Sequence, residues 1–161
     1  MRRAHHVLAG CWGTGTGIFW DVGKGGPIVV GAAAARWPRV GRVSDCLFCR
    51  MVSGEIAPDV VRETDRTLAF RDVNPQAPTH VLVIPKEHHV TVGAVAAADP
   101  QLAVELLSAA QAVAEQEGLG TADSPEPGWR LVTNSGPQAG QSVHHVHLHV
   151  LGGRGMTWPP G

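Results

Sequence analysis

Gln141-Ser-Val-His-His-Val-His-Leu-His-Val-Leu151 is the stretch on which the fold reading turns. Side chains on an extended strand alternate between faces with a period of two, so His145, His147 and His149 share one face and His144, Val146, Leu148 and Val150 the other. The apolar partners mark a packed strand over residues 143–151. Four of the nine histidines fall within residues 144–149. Three imidazoles aligned on one face are costly to bury unless each is hydrogen-bonded, bound to metal or working on a ligand. The plain alternative is an exposed sheet face that tolerates histidine.

Working outward, residues 60–63 and 67–71 read as a hairpin around Asp65-Arg66. Asn74-Pro75-Gln76-Ala77-Pro78 is a loop, and residues 80–84 form a buried strand stopped by Pro85. Asp99-Pro100 supplies an N-cap and a proline at the first helical position, followed by Leu102, Leu106, Ala110, Val113 and Ala114 at helical spacing until Gly118. This is the one long helix expected. Residues 125–128 form a loop, 130–133 a strand and 134–140 a second loop. Few helices and several short strands without regular alternation indicate an α+β fold with an antiparallel sheet.

The chain has 161 residues, with 13 Lys+Arg against 14 Asp+Glu, which speaks against a basic nucleic-acid binder. The balance is uneven. Residues 1–42 carry a net +5 together with 9 of the 20 glycines and 3 of the 5 tryptophans, whereas the remainder carries −6. Residues 1–42 thus read as a Gly/Trp-rich basic extension, flexible or partly ordered, joined to a domain at 43–161. Leu8-Ala9-Gly10-Cys11 imitates a lipoprotein cleavage box, but His5 and His6 interrupt the apolar stretch such a signal needs. The glycine runs at 13–17 and 23–26 lack the spacing of a phosphate-binding fingerprint. No apolar run is long enough for a membrane helix. Three cysteines, an odd count, argue against a disulfide scaffold and for a reducing, cytoplasmic setting or a metal site.

Two chemistries fit the histidine strand: a metal site, or attack on phosphorus by a neutral imidazole whose other nitrogen holds its proton against a fixed acceptor. The 136–142 loop offers backbone N–H groups and the Ser142 hydroxyl to phosphate oxygens, as an anion-binding nest does. Cys46-Leu-Phe-Cys49 has zinc-knuckle spacing, but a lone pair also fits a redox motif or buried cysteine.

His145-Val-His147-Leu-His149-Val-Leu resembles the signature of the histidine triad superfamily. Asp72-Val-Asn-Pro-Gln-Ala-Pro-Thr-His80, Val83-Ile-Pro-Lys86 and the ending Leu151-Gly-Gly-Arg154 to Trp158-Pro-Pro-Gly161 look like its Hint branch, the histidine triad nucleotide-binding proteins. The likeness covers residues 44–161. It implies a compact α+β fold whose two copies join sheets into a homodimer, and hydrolysis of purine nucleoside 5′-phosphoramidates to the nucleoside monophosphate and an amine. It makes His147 the nucleophile that forms a nucleotidyl-histidine intermediate, and His149 a phosphate contact whose main chain orients His147. It further implies that Asn134, Gly140, Gln141 and Ser142 contact phosphate, with Ser142 near the leaving group. Asp72 matches a ribose-binding carboxylate, and Val73 with Phe48 the apolar base pocket. His80 is expected as a hydrogen-bonded support behind the triad, and Trp158 is expected to reach the partner subunit's site.

In bacterial proteins of this kind the Cys pair binds zinc with histidines matching His88 and His145; the implied site is Cys46, Cys49, His88 and His145, structural because four protein ligands leave no open position. Zinc ligation by His145 would reduce that residue's catalytic share; His89 is expected at the surface and His144 away from the triad. Glutamine in place of the third histidine marks the nucleotidyltransferase branch, so His149 favours hydrolysis. A dinucleoside polyphosphate hydrolase and a non-enzymatic nucleotide-binding scaffold are the alternatives. Relatives of this type commonly begin a few residues before the Cys pair, so the natural start is expected near Val43, from a non-AUG codon.

Overall fold

The strand β5 (Thr79–Pro85) is buried along its whole length, and the rest of the domain is arranged about it. In the computed structural model, residues 18–20, 27–29 and 45–159 are described. The chain divides into two units, residues 1–38 and 39–161. In the first, β1 (Ile18–Trp20) pairs antiparallel with β2 (Pro27–Val29). Most of the 1–42 extension, including the glycine runs, lies outside the described residues.

In the second unit, β3 (Val60–Glu63), β4 (Thr67–Arg71), β5, β6 (Trp129–Val132) and β7 (Leu148–Gly152) form one antiparallel sheet of order β3-β4-β5-β7-β6. The helices are α1 (Leu47–Val52), α2 (Val92–Ala98) and α3 (Pro100–Gln116). This is the α+β architecture expected. Alternation on β5 and β7 sorts the core into two layers. Val81, Val83, Leu148 and Val150 pack with Leu102, Leu106, Ala110 and Val113 of α3 on one face. Leu82 and Ile84 join Leu68, Phe70 and Phe48 of α1 on the other. The register pairs Leu82 with His149 and Val81 with Val150, so the triad lies on the α1 face.

α3 begins where Asp99 Oδ1 accepts from Leu102 N–H at 3.0 Å with Pro100 behind it, and ends before Gly118 at φ +70°. α1 and α2 were not apparent from periodicity, being six and seven residues long. Thr91, whose side chain accepts from Ala94 N–H, was the available sign for α2.

The histidine strand is shorter than the 143–151 expected: its ladder starts at Leu148. Pro85, at the end of β5, has no N–H to offer a partner. Val146 N–H goes instead to the His89 carbonyl at 2.7 Å. The alternation of faces nevertheless runs on through His145, with Val146 at 1% exposure in the α3 core. No helix among the described residues is long and apolar enough to cross a membrane.

Candidate active site and metal cluster

A carbonyl oxygen can only accept a hydrogen bond, so each imidazole nitrogen facing one must carry the proton. His147 Nδ1 lies 2.7 Å from the His145 carbonyl and therefore donates to it. In the neutral ring the lone pair is then on Nε2, the arrangement a nucleophilic imidazole requires. The resemblance implied the main chain of His149 for this orienting role; the carbonyl that accepts from His147 is that of His145 instead. His149 sits inside the ladder between Leu82 and Val132, whereas His145 precedes it and keeps its carbonyl free for a side chain.

His149 is set the opposite way. Gln76 N–H donates to His80 Nδ1 at 3.1 Å, so neutral His80 carries its proton on Nε2. That atom lies 2.8 Å from His149 Nδ1 and 3.4 Å from Asp72 Oδ2. Accepting from His80 places the His149 proton on Nε2, a buried atom with no partner among the described residues. Burial first, then the charges of His147 and His80, hold His149 down at about 4, against a smaller opposing pull from Asp72. Burial also lowers His80, partly offset by Asp72. His149 is therefore a neutral ring whose buried Nε2–H has no hydrogen-bond partner among the described residues. The rings of His147 and His149 meet edge to face, centroids 4.9 Å apart.

His145 is fully buried and faces elsewhere. Its Nε2 donates to the Pro85 carbonyl at 2.9 Å, leaving Nδ1 as a lone pair 3.6 Å from both Cys46 Sγ and Cys49 Sγ. His88 Nδ1 is 3.2 Å from Cys49 Sγ, and the four ligand atoms lie within 4.8 Å of one another. A tetrahedral zinc, with Zn–S about 2.3 Å and Zn–N about 2.0–2.1 Å, sets sulfur and nitrogen about 3.6 Å apart. The His145 to Pro85 bond is the outer contact that commonly fixes a metal-binding imidazole. Burial, then the hydrogen bond and charge of Cys46, push the Cys49 thiol up to about 11. A nearby cation favours the Cys49 thiolate. The donors thus fit a soft divalent metal with no position left over. His145 accordingly contributes its carbonyl to the triad and its ring to the metal cluster.

A HIT domain family model matches residues 53–156. The chain belongs to the HIT domain family. It is 47% identical over 120 residues to the 14 kDa zinc-binding protein of Zea mays, covering 73% of this chain and 89% of that one. It is 45% identical over 120 residues to adenylylsulfatase HINT1 of Arabidopsis thaliana, covering 73% and 78%. Among solved structures, a HIT family hydrolase from Legionella pneumophila Philadelphia 1 superposes with TM-score 0.67 at 50% identity, over 73% of this chain and all of that one. A histidine triad nucleotide-binding protein from Candida albicans does so with TM-score 0.60 at 30% identity, over 71% and 82%.

In this HIT domain the other expected residues stand as follows. Phe48 is 4% exposed, and its ring stands edge-on to His147 at 5.4 Å and His145 at 5.8 Å, so it backs the triad. Val73 stands almost wholly in solvent. Asp72 is half-buried, one oxygen accepting from Asn74 N–H at 2.8 Å. Asn134 is half-buried, Gly140 and Ser142 are exposed, and Gln141 is buried. Ser142 also lines a cavity of about 240 Å³ with Cys46 and His88. Trp158 is exposed. His144, expected on the Val146 face away from the triad, is exposed; His89, expected at the surface, has its ring mostly enclosed, 3.4 Å from Glu87. A larger depression of about 400 Å³ beside α3 contains no triad residue, and its Arg66 is already paired with Asp99 and Glu105.

Sequence reasoning missed the groups that fix the tautomers, Gln76 N–H and the Pro85 carbonyl. Both are main-chain groups, invisible in residue identity. Gln76-Ala77-Pro78 could at most have been suspected because a turn so close to His80 leaves N–H groups free.

A histidine whose folded pKa lies below its unfolded value of about 6.5 supports the fold while neutral. That support is complete above about pH 6.5 and is lost as pH falls toward the His149 value of about 4. Urea unfolding measured from pH 7 to 4 should show stability falling by up to about 1.4 kcal/mol per pH unit for each such ring. In His149→Gln the slope should shrink by about one proton; an unchanged slope would contradict the neutral assignment.

Proposed function

We propose that this protein hydrolyses the P–N bond of purine nucleoside 5′-phosphoramidates, of the adenylyl-amine and adenylyl-lysine type, through a nucleotidyl-His147 intermediate. The observation that carries the proposal is the pairing of opposite tautomers: His147 with a bare Nε2, His149 with a protonated one. The His147 Nε2 lone pair forms the bond to phosphorus as the P–N bond breaks, and its electrons leave with the amine. Ser142, exposed and assigned to the leaving-group side, relays a proton from solvent to the departing amine nitrogen. His147 becomes a cationic nucleotidyl-imidazolium, with Nδ1–H still held by the His145 carbonyl. Water then attacks phosphorus, the monophosphate departs, and neutral His147 returns as the water proton passes to solvent. His149 Nε2–H and the 134–142 loop, with Asn134 and Gly140, stabilise the phosphoryl oxygens; the N–H groups of Gln141, expected there as a phosphate contact, are all engaged by main-chain carbonyls.

Asp72 takes the ribose hydroxyls in a bidentate contact, and the bare side chain of Val73 packs on the base at the edge of Phe48. The printed names of the relatives support a nucleotide ligand and phosphorus chemistry. Zinc is the metal we assign to Cys46, Cys49, His88 and His145. Once bound it would hold the cysteines as thiolates and fix the His145 backbone; no chemical step passes through it. Two copies join at β6, one of the two edge strands of the sheet, with exposed Val104, Leu107 and Trp158 available to the partner. The function is that of a soluble cytoplasmic enzyme.

Turnover of an adenosine phosphoramidate should fall by at least about 10³-fold in His147→Ala, a loss typical of removing a nucleophile. An unchanged rate would end the nucleophile assignment, and faster cleavage of a diadenosine polyphosphate by the native protein would favour the dinucleotide reading. Metal analysis should find one zinc per chain, absent from Cys46→Ser, and chelation should lower the melting temperature. A metal-free native protein with an unaltered melt would contradict the zinc assignment.

A further inference from the structure

Gln141 is 5% exposed, although its neighbours Gly140 and Ser142 face solvent. A carboxamide has one acceptor oxygen and two N–H donors. All three are engaged by main chain. Oε1 accepts from Gly136 N–H at 2.8 Å, and Nε2 donates to the Val90 carbonyl at 2.7 Å and the Val143 carbonyl at 3.2 Å. The backbone N–H of Gln141 also returns to the Gly136 carbonyl at 3.2 Å, closing the loop on itself. Gly136 at φ +90° and Gly140 at φ +83° allow the tight path this closure needs.

The three partners sit on three pieces of chain with different duties. Gly136 opens the phosphate loop, Val143 leads into the triad, and Val90 follows the metal-side His88. Residues 88–90 thereby form a brace. The His88 side chain faces the cysteines, the His89 carbonyl takes Val146 N–H at 2.7 Å, and the Val90 carbonyl anchors Gln141.

We propose that Gln141 is a positioning residue whose buried carboxamide clasps the 136–142 loop to residues 88–90 and so fixes where the loop meets a phosphoryl group beside His147. This rests on the reading of that loop as the phosphate half of a nucleotide site. The clasp governs the loop's shape, and the loop touches phosphate, so its loss falls on the phosphate-bearing part of a ligand. A merely structural glutamine would weaken the whole site alike. Gln141→Met preserves length but leaves Gly136 N–H and two carbonyls without partners. Gln141→Glu keeps the acceptor for Gly136 and loses both donors.

The test is binding of AMP and of adenosine to the full chain, by titration followed by NMR, for the native protein and both variants, with hydrogen exchange at the Gly136 amide. AMP should bind at least about tenfold more weakly to both variants while adenosine stays within about twofold. Gly136 exchange should accelerate in Gln141→Met and remain slow in Gln141→Glu. Should Gln141→Met fail to fold, Gln141→Glu carries the comparison. Native protein that binds AMP, with variants that bind it equally well or lose AMP and adenosine in the same proportion, overturns the clasp and leaves the nucleotide reading standing. Native protein that binds neither ligand overturns that reading and the clasp with it.

Discussion

The hydrogen bond from His147 Nδ1 to the His145 carbonyl links the two halves of this site. It exists because His145 lies just ahead of the β7 ladder, where its carbonyl has no strand to pair with. Continued by two residues, the β5–β7 register would set Pro85, which has no N–H, opposite Val146. The Pro85 carbonyl, left over from the same ending, receives the ring of His145 and turns its Nδ1 toward the cysteines. The backbone of His145 thus orients the His147 ring while its own ring faces the cysteine pair. On the proposed reading, metal held by Cys46, Cys49, His88 and His145 would steady the residue whose carbonyl aims His147.

The fold was legible because its elements carry strong local signals. Asp99-Pro100 announced α3, Asp65-Arg66 the β3–β4 hairpin, and the alternation around His145, His147 and His149 both a strand and its inward face. α1 escaped because a six-residue helix without a side-chain cap shows no period. The strand's true start escaped because it depends on what faces it across the sheet, which a single segment does not reveal. The triad and the four metal donors were legible as residue types, and the structure brings each set together. What one line of sequence could not carry were the main-chain partners, Gln76 N–H and the Pro85, His145 and Val90 carbonyls, since every residue owns such groups and only the fold selects among them. His89 illustrates the same limit, a residue expected at the surface whose carbonyl ties down the triad strand.

Burial of these imidazoles is costly in the abstract, and the structure offsets that cost ring by ring. His145 has a carbonyl and a cysteine pair, His147 a carbonyl and the edge of Phe48, and His80 a backbone N–H and His149. Within the triad, His149 Nε2 is left as a buried donor without a partner among the described residues. An unpaired buried donor of this kind is the group that the proposed reading assigns to a phosphoryl oxygen.

The most direct test of this account is a ¹⁵N–¹H correlation of the histidine rings at a pH where all are neutral. It should show His147 protonated on Nδ1 and His149 protonated on Nε2. His147 carrying its proton on Nε2 would contradict the account.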